Sequence, residues 1–210
     1  MNLSLSPWLP RDLSLKGQQV SLLPLERNLL APLWEAAKDA RIWTNNVLKL
    51  GQEESFGRRM QEAFITQSIG MEVPLVILHA PSQQVAGSTR FMNLDRDNNK
   101  LEIGWTWLHP DFWGTNLNTE CKLLMLEYAF EIQQVARITL RCNRENLRSI
   151  ATIKKLGATY EGTLRSEVLG EKQVRHDIEY YSILPPGMAG HKKTLQEQLS
   201  RGGAAASPAL

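Results

Sequence analysis

Leu101-Glu102-Ile103-Gly104-Trp105-Thr106-Trp107-Leu108 runs through His109-Pro110 into Asp111-Phe112-Trp113-Gly114-Thr115-Asn116-Leu117-Asn118-Thr119, and the period of the sequence changes across that junction. Alternation at period two puts Leu101, Ile103, Trp105 and Trp107 on one face of a strand and Glu102, Gly104 and Thr106 on the other. Beyond the loop, Asn118 or Thr119 caps a helix in which Leu123, Leu126 and Phe130 share a face, with Glu120, Glu127 and Glu131 elsewhere. A loop that leaves a strand and feeds a helix start presents unpaired N–H groups and the positive end of the helix dipole, which bind anionic phosphates. Trp113 to Thr119 occupies that place, although its composition alone suits a plain surface turn equally well.

Working outward, residues 137–142 alternate Ile138, Leu140 and Cys142 against Arg137, Thr139 and Arg141 as a further strand, and 146–156 reads as a helix closed by Gly157. Two last strands are expected at 162–169 and 174–184. Upstream, Asp97-Asn98-Asn99 marks a turn, and 73–79 and 85–93 form a hairpin around Pro81-Ser82. Helical spacing recurs over 26–40 and 53–68, preceded by a strand from Val20 to Pro24. Residues 1–17 are expected to form an irregular arm, 18–186 one domain, 187–201 a candidate C-terminal helix, and 202–210 a disordered tail of small residues. The pattern is α+β: a central, mostly antiparallel twisted sheet of about six or seven strands, with helices on both faces.

The 210 residues, 42% hydrophobic and 22% charged, suit one globular domain. A net charge of +2 does not indicate nucleic acid as a partner. Arg137, Arg141, Arg144 and Arg148 either serve phosphates locally or form a solvated basic face. Two cysteines, Cys121 and Cys142, suggest neither a disulfide framework nor a metal site. With no long apolar run and no secretory pattern at the N-terminus, the expectation is a cytoplasmic protein without a membrane partner.

The run from Leu101 to Gly114, followed by Asn118-Thr119-Glu120, Asn146-Leu147-Arg148-Ser149, Lys155-Leu156-Gly157-Ala158, Glu161-Gly162 and Leu164-Arg165, resembles the GNAT superfamily of N-acetyltransferases. Within it, the match is most similar to the RimJ/RimL branch, whose namesakes acetylate ribosomal-protein N-termini. The resemblance implies a sheet splayed between the strands at 101–108 and 137–142, with acetyl-CoA as co-substrate. Trp113, Gly114, Thr115, Asn116, Leu117, Asn118 and Thr119 would hold its pyrophosphate. The pantetheine arm would lie in the gap against the amides of Trp107 and Leu108, with Asn146 and Ser149 beside it. The family pattern has glycine where this chain has Asn116, and glycine or alanine where it has Asn118. Asparagine tolerates left-handed geometry only moderately and brings a side chain toward the phosphates.

Chemistry of this kind is direct attack of an amine on a thioester. The amine must lose a proton, the carbonyl oxygen needs donors, and the thiolate needs an acid. Glu102, facing away from the tryptophans, is the leading base; Glu167 and then His176 follow. Ser149 is the donor to the leaving thiolate, or else only bonds its own helix backbone. Trp43, between the first two helices, lines the acceptor pocket or packs in the core. The expected partner is an amine-bearing acceptor, either a protein N-terminus or a small molecule such as a polyamine, antibiotic or metabolite. A noncatalytic acyl-CoA-binding domain is the competing reading, and both monomer and homodimer are compatible.

Overall fold

The computed structural model describes residues 7–47, 49–170, 173–185, 192, 195–197 and 199–200. Twelve elements run in the order β1 (Leu15–Lys16), β2 (Val20–Pro24), α1 (Leu30–Ala37), α2 (Glu53–Ser68), β3 (Val73–His79), β4 (Gln84–Asp95), β5 (Lys100–Leu108), α3 (Leu117–Glu127), β6 (Arg137–Asn143), α4 (Leu147–Lys155), β7 (Thr159–Leu169) and β8 (Arg175–Ile183). They build an eight-stranded sheet in the order β1-β2-β3-β4-β5-β6-β8-β7. Each neighbouring pair is antiparallel except β5 and β6. That parallel pair is short: Lys100, Leu101 and Glu102 lie opposite Arg137, Ile138 and Thr139, and from there the strands part.

Two apolar layers cover the sheet. Leu117, Cys121, Met125 and Leu126 of α3 join Leu101, Ile103, Ile138 and Leu140 on one face. Leu33 and Ala37 of α1 and Phe56 and Met60 of α2 join Val76 and Trp107 on the other. At about 1.5–3 kcal/mol per large apolar side chain, these layers supply most of the drive to fold.

Three local differences from the sequence reading have physical causes. The first helix starts at Leu30 because Pro32 lacks an N–H and is tolerated only in a first turn. Residues 15–16, expected in an irregular arm, pair with Leu22 and Ser21 and extend the sheet by a strand. The strand at 101–108 does not alternate throughout. Ser88 pairs with Trp107 and Arg90 with Gly104, so β5 carries one extra residue, and Trp105 takes φ +51°. This bulge reverses the phase. Leu101 and Ile103 face α3, whereas Trp105 and Trp107 face the α1/α2 layer, and Glu102 lies on the tryptophan side rather than opposite it.

The start of α3 is fixed by a contact that its sequence does not advertise. Glu120 is buried, and its Oε1 and Oε2 accept from the Gln18 N–H at 2.6 Å and the Gln19 N–H at 2.7 Å, tying α3 to the turn between β1 and β2. Gly17 allows this approach, since a Cβ there would stand 2.6 Å from Oε1. Glu120→Ala, which strands two backbone donors, is expected to cost about 1–3 kcal/mol in urea unfolding. Stability equal to that of the parent would refute this role for the clamp.

Candidate active site

Where β5 leaves β6 the sheet opens into a cavity of about 890 Å³. Its walls include β5 from Glu102 to Leu108, the loop and first turn of α3, Arg141 to Asn143 of β6 and the start of α4. The His109 N–H donates to Ala86 O at 2.7 Å, toward β4, so by strand alternation the Leu108 N–H faces the gap and that of Trp107 faces β4. Trp107 and Leu108 are both buried cavity-wall residues.

The entry to α3 is held by side chains. Trp113 Nε1 donates to Leu108 O at 2.9 Å, and the Arg148 guanidinium lies 3.8 Å above the Trp113 ring. Gly114 makes the turn with φ +75°, and Thr115 Oγ1 donates to Phe112 O at 2.8 Å. The helix then begins at Leu117, with Asn116 at the N-cap position, two or three residues ahead of the cap expected at Asn118 or Thr119. The Leu117 side chain is buried in the core, and its N–H meets Thr115 Oγ1 at 3.3 Å. As first-turn residues, Asn118 and Thr119 have no intrahelical acceptor for their N–H groups, and both line the cavity. Asn116 is right-handed, φ −72° and ψ −6°, so the expected left-handed strain is not present. Its Nδ2 donates to Leu199 O at 3.2 Å.

On the far side of the gap, Asn146 caps α4: its Oδ1 accepts from the Ser149 N–H at 3.1 Å, and its Nδ2 reaches Asn46 Oδ1 at 3.4 Å. Ser149 and Cys142 share the wall. Burial pushes the Cys142 thiol up to about 11, countered in part by a hydrogen bond with Ser149.

The two candidate carboxylates belong to one network. Glu102 is buried; its Oε1 accepts from Arg141 Nε at 2.8 Å and its Oε2 from Asn93 Nδ2 at 2.7 Å. Arg141 also donates to the Tyr180 hydroxyl at 3.3 Å, and that hydroxyl donates to Glu167 Oε1 at 3.2 Å. Burial works against the Arg141 charge, but Glu102 and Tyr180 outweigh it and raise its pKa. Arg141 and Tyr180 lie opposite each other in the β6–β8 register. Sequence reasoning placed Arg141 in a cluster that either serves phosphates or forms a solvated basic face, and missed Tyr180 and Asn93, because no local pattern signals a cross-strand pairing. The expected arginine cluster is dispersed: Arg137 pairs with Glu161, Arg141 with Glu102 and Arg144 with Asp177, while Arg148 alone of the four stacks on the loop.

Trp43 is both core and wall. Its Nε1 donates to Ala37 O at 2.7 Å, its ring stands 5.5 Å from that of Trp107, and it borders the cavity. His176 packs beside Gly170 and is not a lining residue. Cys121 and Cys142 are free thiols. Among the described residues no helix is long and apolar enough to cross a membrane.

A splayed sheet with a helix start aimed into the gap has a counterpart among known families. Residues 19–159 match the model of the acetyltransferase (GNAT) domain. The chain belongs to that family. YdaF of Bacillus subtilis, named as a candidate ribosomal N-acetyltransferase, is 32% identical over 108 residues, which is 51% of this chain and 58% of YdaF. The spermidine N(1)-acetyltransferase of Escherichia coli K12 is 28% identical over 85 residues, 40% of this chain and 46% of that enzyme. The chain thus spans about half the length of these two curated relatives. Mycobacterium smegmatis RimJ, solved in complex with CoA-disulfide, superposes with a TM-score of 0.75 at 17% identity, covering 89% of this chain and 95% of that one. The GNAT fold, in its RimJ/RimL-like form, is therefore common to the chain and its relatives.

Because Asn116 already has φ −72°, proline fits there without strain and removes one backbone N–H from the loop. Asn116→Pro is expected to keep the melting temperature within about 3 °C, the shift that about 1 kcal/mol produces in a domain of this size. It should weaken coenzyme A about tenfold, as the loss of one charge-assisted hydrogen bond requires, while sparing phosphate-free pantetheine. Calorimetry that finds both ligands weakened alike would remove the loop from phosphate binding.

Proposed function

We propose that this GNAT domain transfers an acetyl group from acetyl-CoA to a primary amine, and that the amine is a peptide N-terminus or a similar amine carrying at most a single positive charge. The observation that carries the reading is the gap between β5 and β6, bordered by the Leu108 amide on one side and closed at its end by the free N–H groups of the α3 first turn. An extended arm ending in phosphates fits that shape, with amides along its length and the positive helix end at the anionic terminus. When bound, the thioester supplies the activated acetyl group.

The residues of the chain have separable roles in this reading. Trp43, Trp105 and Trp107 wall the acceptor side and keep bulk water from the reacting carbon. Glu102 takes the proton of the amine through a water, using acceptor capacity left over from its bonds to Arg141 and Asn93. Arg141, fixed by Tyr180, holds the carboxylate in place. Ser149, beside Cys142, donates to the departing thiolate. Glu167 stands further out, exposed and bonded to Tyr180.

Charge pairing favours this acceptor class over a polyamine. Of the carboxylates on the acceptor side, Glu72 is matched by Arg90 at 2.8 Å and Glu102 by Arg141 at 2.8 Å, and Arg59 on the same wall is paired with Glu62 at 2.5 Å. A ligand with several ammonium groups needs carboxylates that are not already paired. The likeness to spermidine N(1)-acetyltransferase nevertheless makes spermidine the necessary comparison.

Acetyl-CoA at millimolar concentration is expected to raise the melting temperature in a concentration-dependent way, and the absence of any shift would end the proposal. Turnover followed by thiol release should be faster with short peptides than with spermidine. Glu102→Gln should lower kcat roughly 10²-fold with coenzyme A affinity unchanged, and Glu167→Gln should lower it much less. The reverse order would move the base to Glu167.

A further inference from the structure

Leu195 reaches the gap from the C-terminal segment of the chain. The described residues of that segment, 192, 195–197 and 199–200, are all helical. They run antiparallel to α3. Lys192 Nζ pairs with Glu127 Oε1 at 2.9 Å and Glu131 Oε1 at 2.7 Å at the far end of that helix, and Leu199 O accepts from Asn116 Nδ2 at 3.2 Å at its start. Between these contacts Leu195 is 1% exposed, belongs to the core that contains α3 and borders the gap, while Leu199 packs against the same core half-buried. Gln196 and Glu197 are exposed. Lys192 and Leu195 therefore anchor the segment, and the turn beyond Leu195 rests on the loop that opens α3.

That turn opposes the chemistry for which a helix start is suited. The peptide dipoles of a helix running toward the loop direct their carbonyl ends at it, just where α3 directs its N–H ends, so the two partly neutralise each other. Leu199 O also occupies Asn116 Nδ2, a side-chain donor on the wall of the gap. A phosphate arriving there meets an engaged donor and a set of carbonyls whose negative ends face it. The contact it must displace is slight, one neutral hydrogen bond and a half-buried leucine, whereas phosphate forms charge-assisted bonds about twice as strong. Asn116 stands where the family pattern has glycine, and a glycine has no side chain with which to hold the segment.

We propose that residues 196–200 form an autoinhibitory strap: docked on Asn116 in the free protein, they compete with the phosphates of coenzyme A for the start of α3, and the cofactor lifts them while Lys192 and Leu195 keep the segment attached. The inference rests on the cofactor reading above and adds a competitor drawn from the chain itself. Cofactor binding and strap docking are then coupled, each weakening the other by the same factor.

Two measurements test it. In the first, coenzyme A and phosphate-free pantetheine are titrated calorimetrically into the parent, a protein lacking residues 197–210 and one lacking only 202–210. Both deletions retain Lys192 and Leu195. Loss of 197–210 is expected to tighten coenzyme A about 3- to 10-fold, the scale of one neutral hydrogen bond and a helix-dipole contact, and to leave pantetheine unchanged. Loss of 202–210 should change neither. Asn116→Pro removes the Asn116 side chain and a loop N–H together and so does not separate the two effects, as the deletion does. In the second, hydrogen exchange in the intact parent should be faster over residues 196–200 with coenzyme A bound than without it. Unchanged or weakened coenzyme A binding in the 197–210 deletion would overturn the strap, and so would equal tightening of both ligands. Slower or unaltered exchange on adding coenzyme A would overturn it too, and this arm decides alone if the deletion does not fold. Failure of the intact parent to bind coenzyme A would instead sink the cofactor reading, and the strap with it.

Discussion

One extra residue in β5 governs the rest of the molecule. Without it, β5 would alternate from Lys100 to Leu108, its tryptophans would face α3, and nothing in the strand would prevent it from following β6 along its whole length. The bulge turns the chain at Trp105, where φ +51° in a non-glycine residue carries a strain of about 1–3 kcal/mol. Such strain persists only where the surroundings over-determine it. Here they do so from both faces: the Arg59 guanidinium lies 3.7 Å and that of Arg90 5.2 Å from the Trp105 ring, while Lys122 and Thr89 hold the Thr106 hydroxyl from behind. Cation–π contacts of this kind contribute about 0.5–2 kcal/mol each, enough together to offset the backbone cost.

The open gap also needs rigid ends, and each end is fixed by a polar contact to a distant segment. Glu120 binds the turn before β2, about a hundred residues away in sequence, and so fixes where the α3 dipole points. Trp113 ties the loop back to Leu108, and Arg148 of α4 stacks on it from the other wall. Asn146 joins α4 to Asn46 in the segment between α1 and α2. The walls are thus cross-linked by groups whose geometry is set by hydrogen bonding, and the cavity does not depend on the ligand for its shape.

Much of this fold is legible in the sequence because it is driven by period. The limits of α2 and β3, at 53–68 and 73–79, follow directly from apolar spacing and from the stops at Gly70 and Pro81, and the parting of β5 from β6 follows from the family resemblance. What period cannot encode is a change of phase. The bulge at Trp105 keeps every residue type that an unbroken strand would have, so alternation assigned the wrong face to both tryptophans relative to Leu101 and Ile103. Nor does local sequence reveal whether a charge is buried and paired across strands. Glu102 was readable as an acid beside the gap, but its partners Arg141 and Asn93, and the Tyr180 that bonds Arg141, come from β6, β4 and β8, and only the register brings them together. Glu120, legible in the sequence only as an acid off the apolar face of α3, is a clamp on distant backbone amides.

The distribution of buried polar groups gives the strongest reason to read the gap as a working site. Among the described residues the buried polar groups are Ser88, Thr89, Arg90, Glu102, Glu120, Lys122, Asn143, Asn146 and Ser182, and Glu102, Lys122, Asn143 and Asn146 line the gap. Each would be more stably replaced by a hydrophobic residue if folding alone were at stake, because desolvating a charge or an amide is recovered only when its bonding is complete. Most of these bonds are complete within the protein, and they orient walls and carboxylates. Among the described residues three buried side-chain atoms lack a partner, Arg59 Nε, Arg90 Nε and Asn118 Oδ1. Two of these atoms belong to the arginines that pack against the Trp105 ring, so incomplete hydrogen bonding is concentrated beside the bulge that opens the gap.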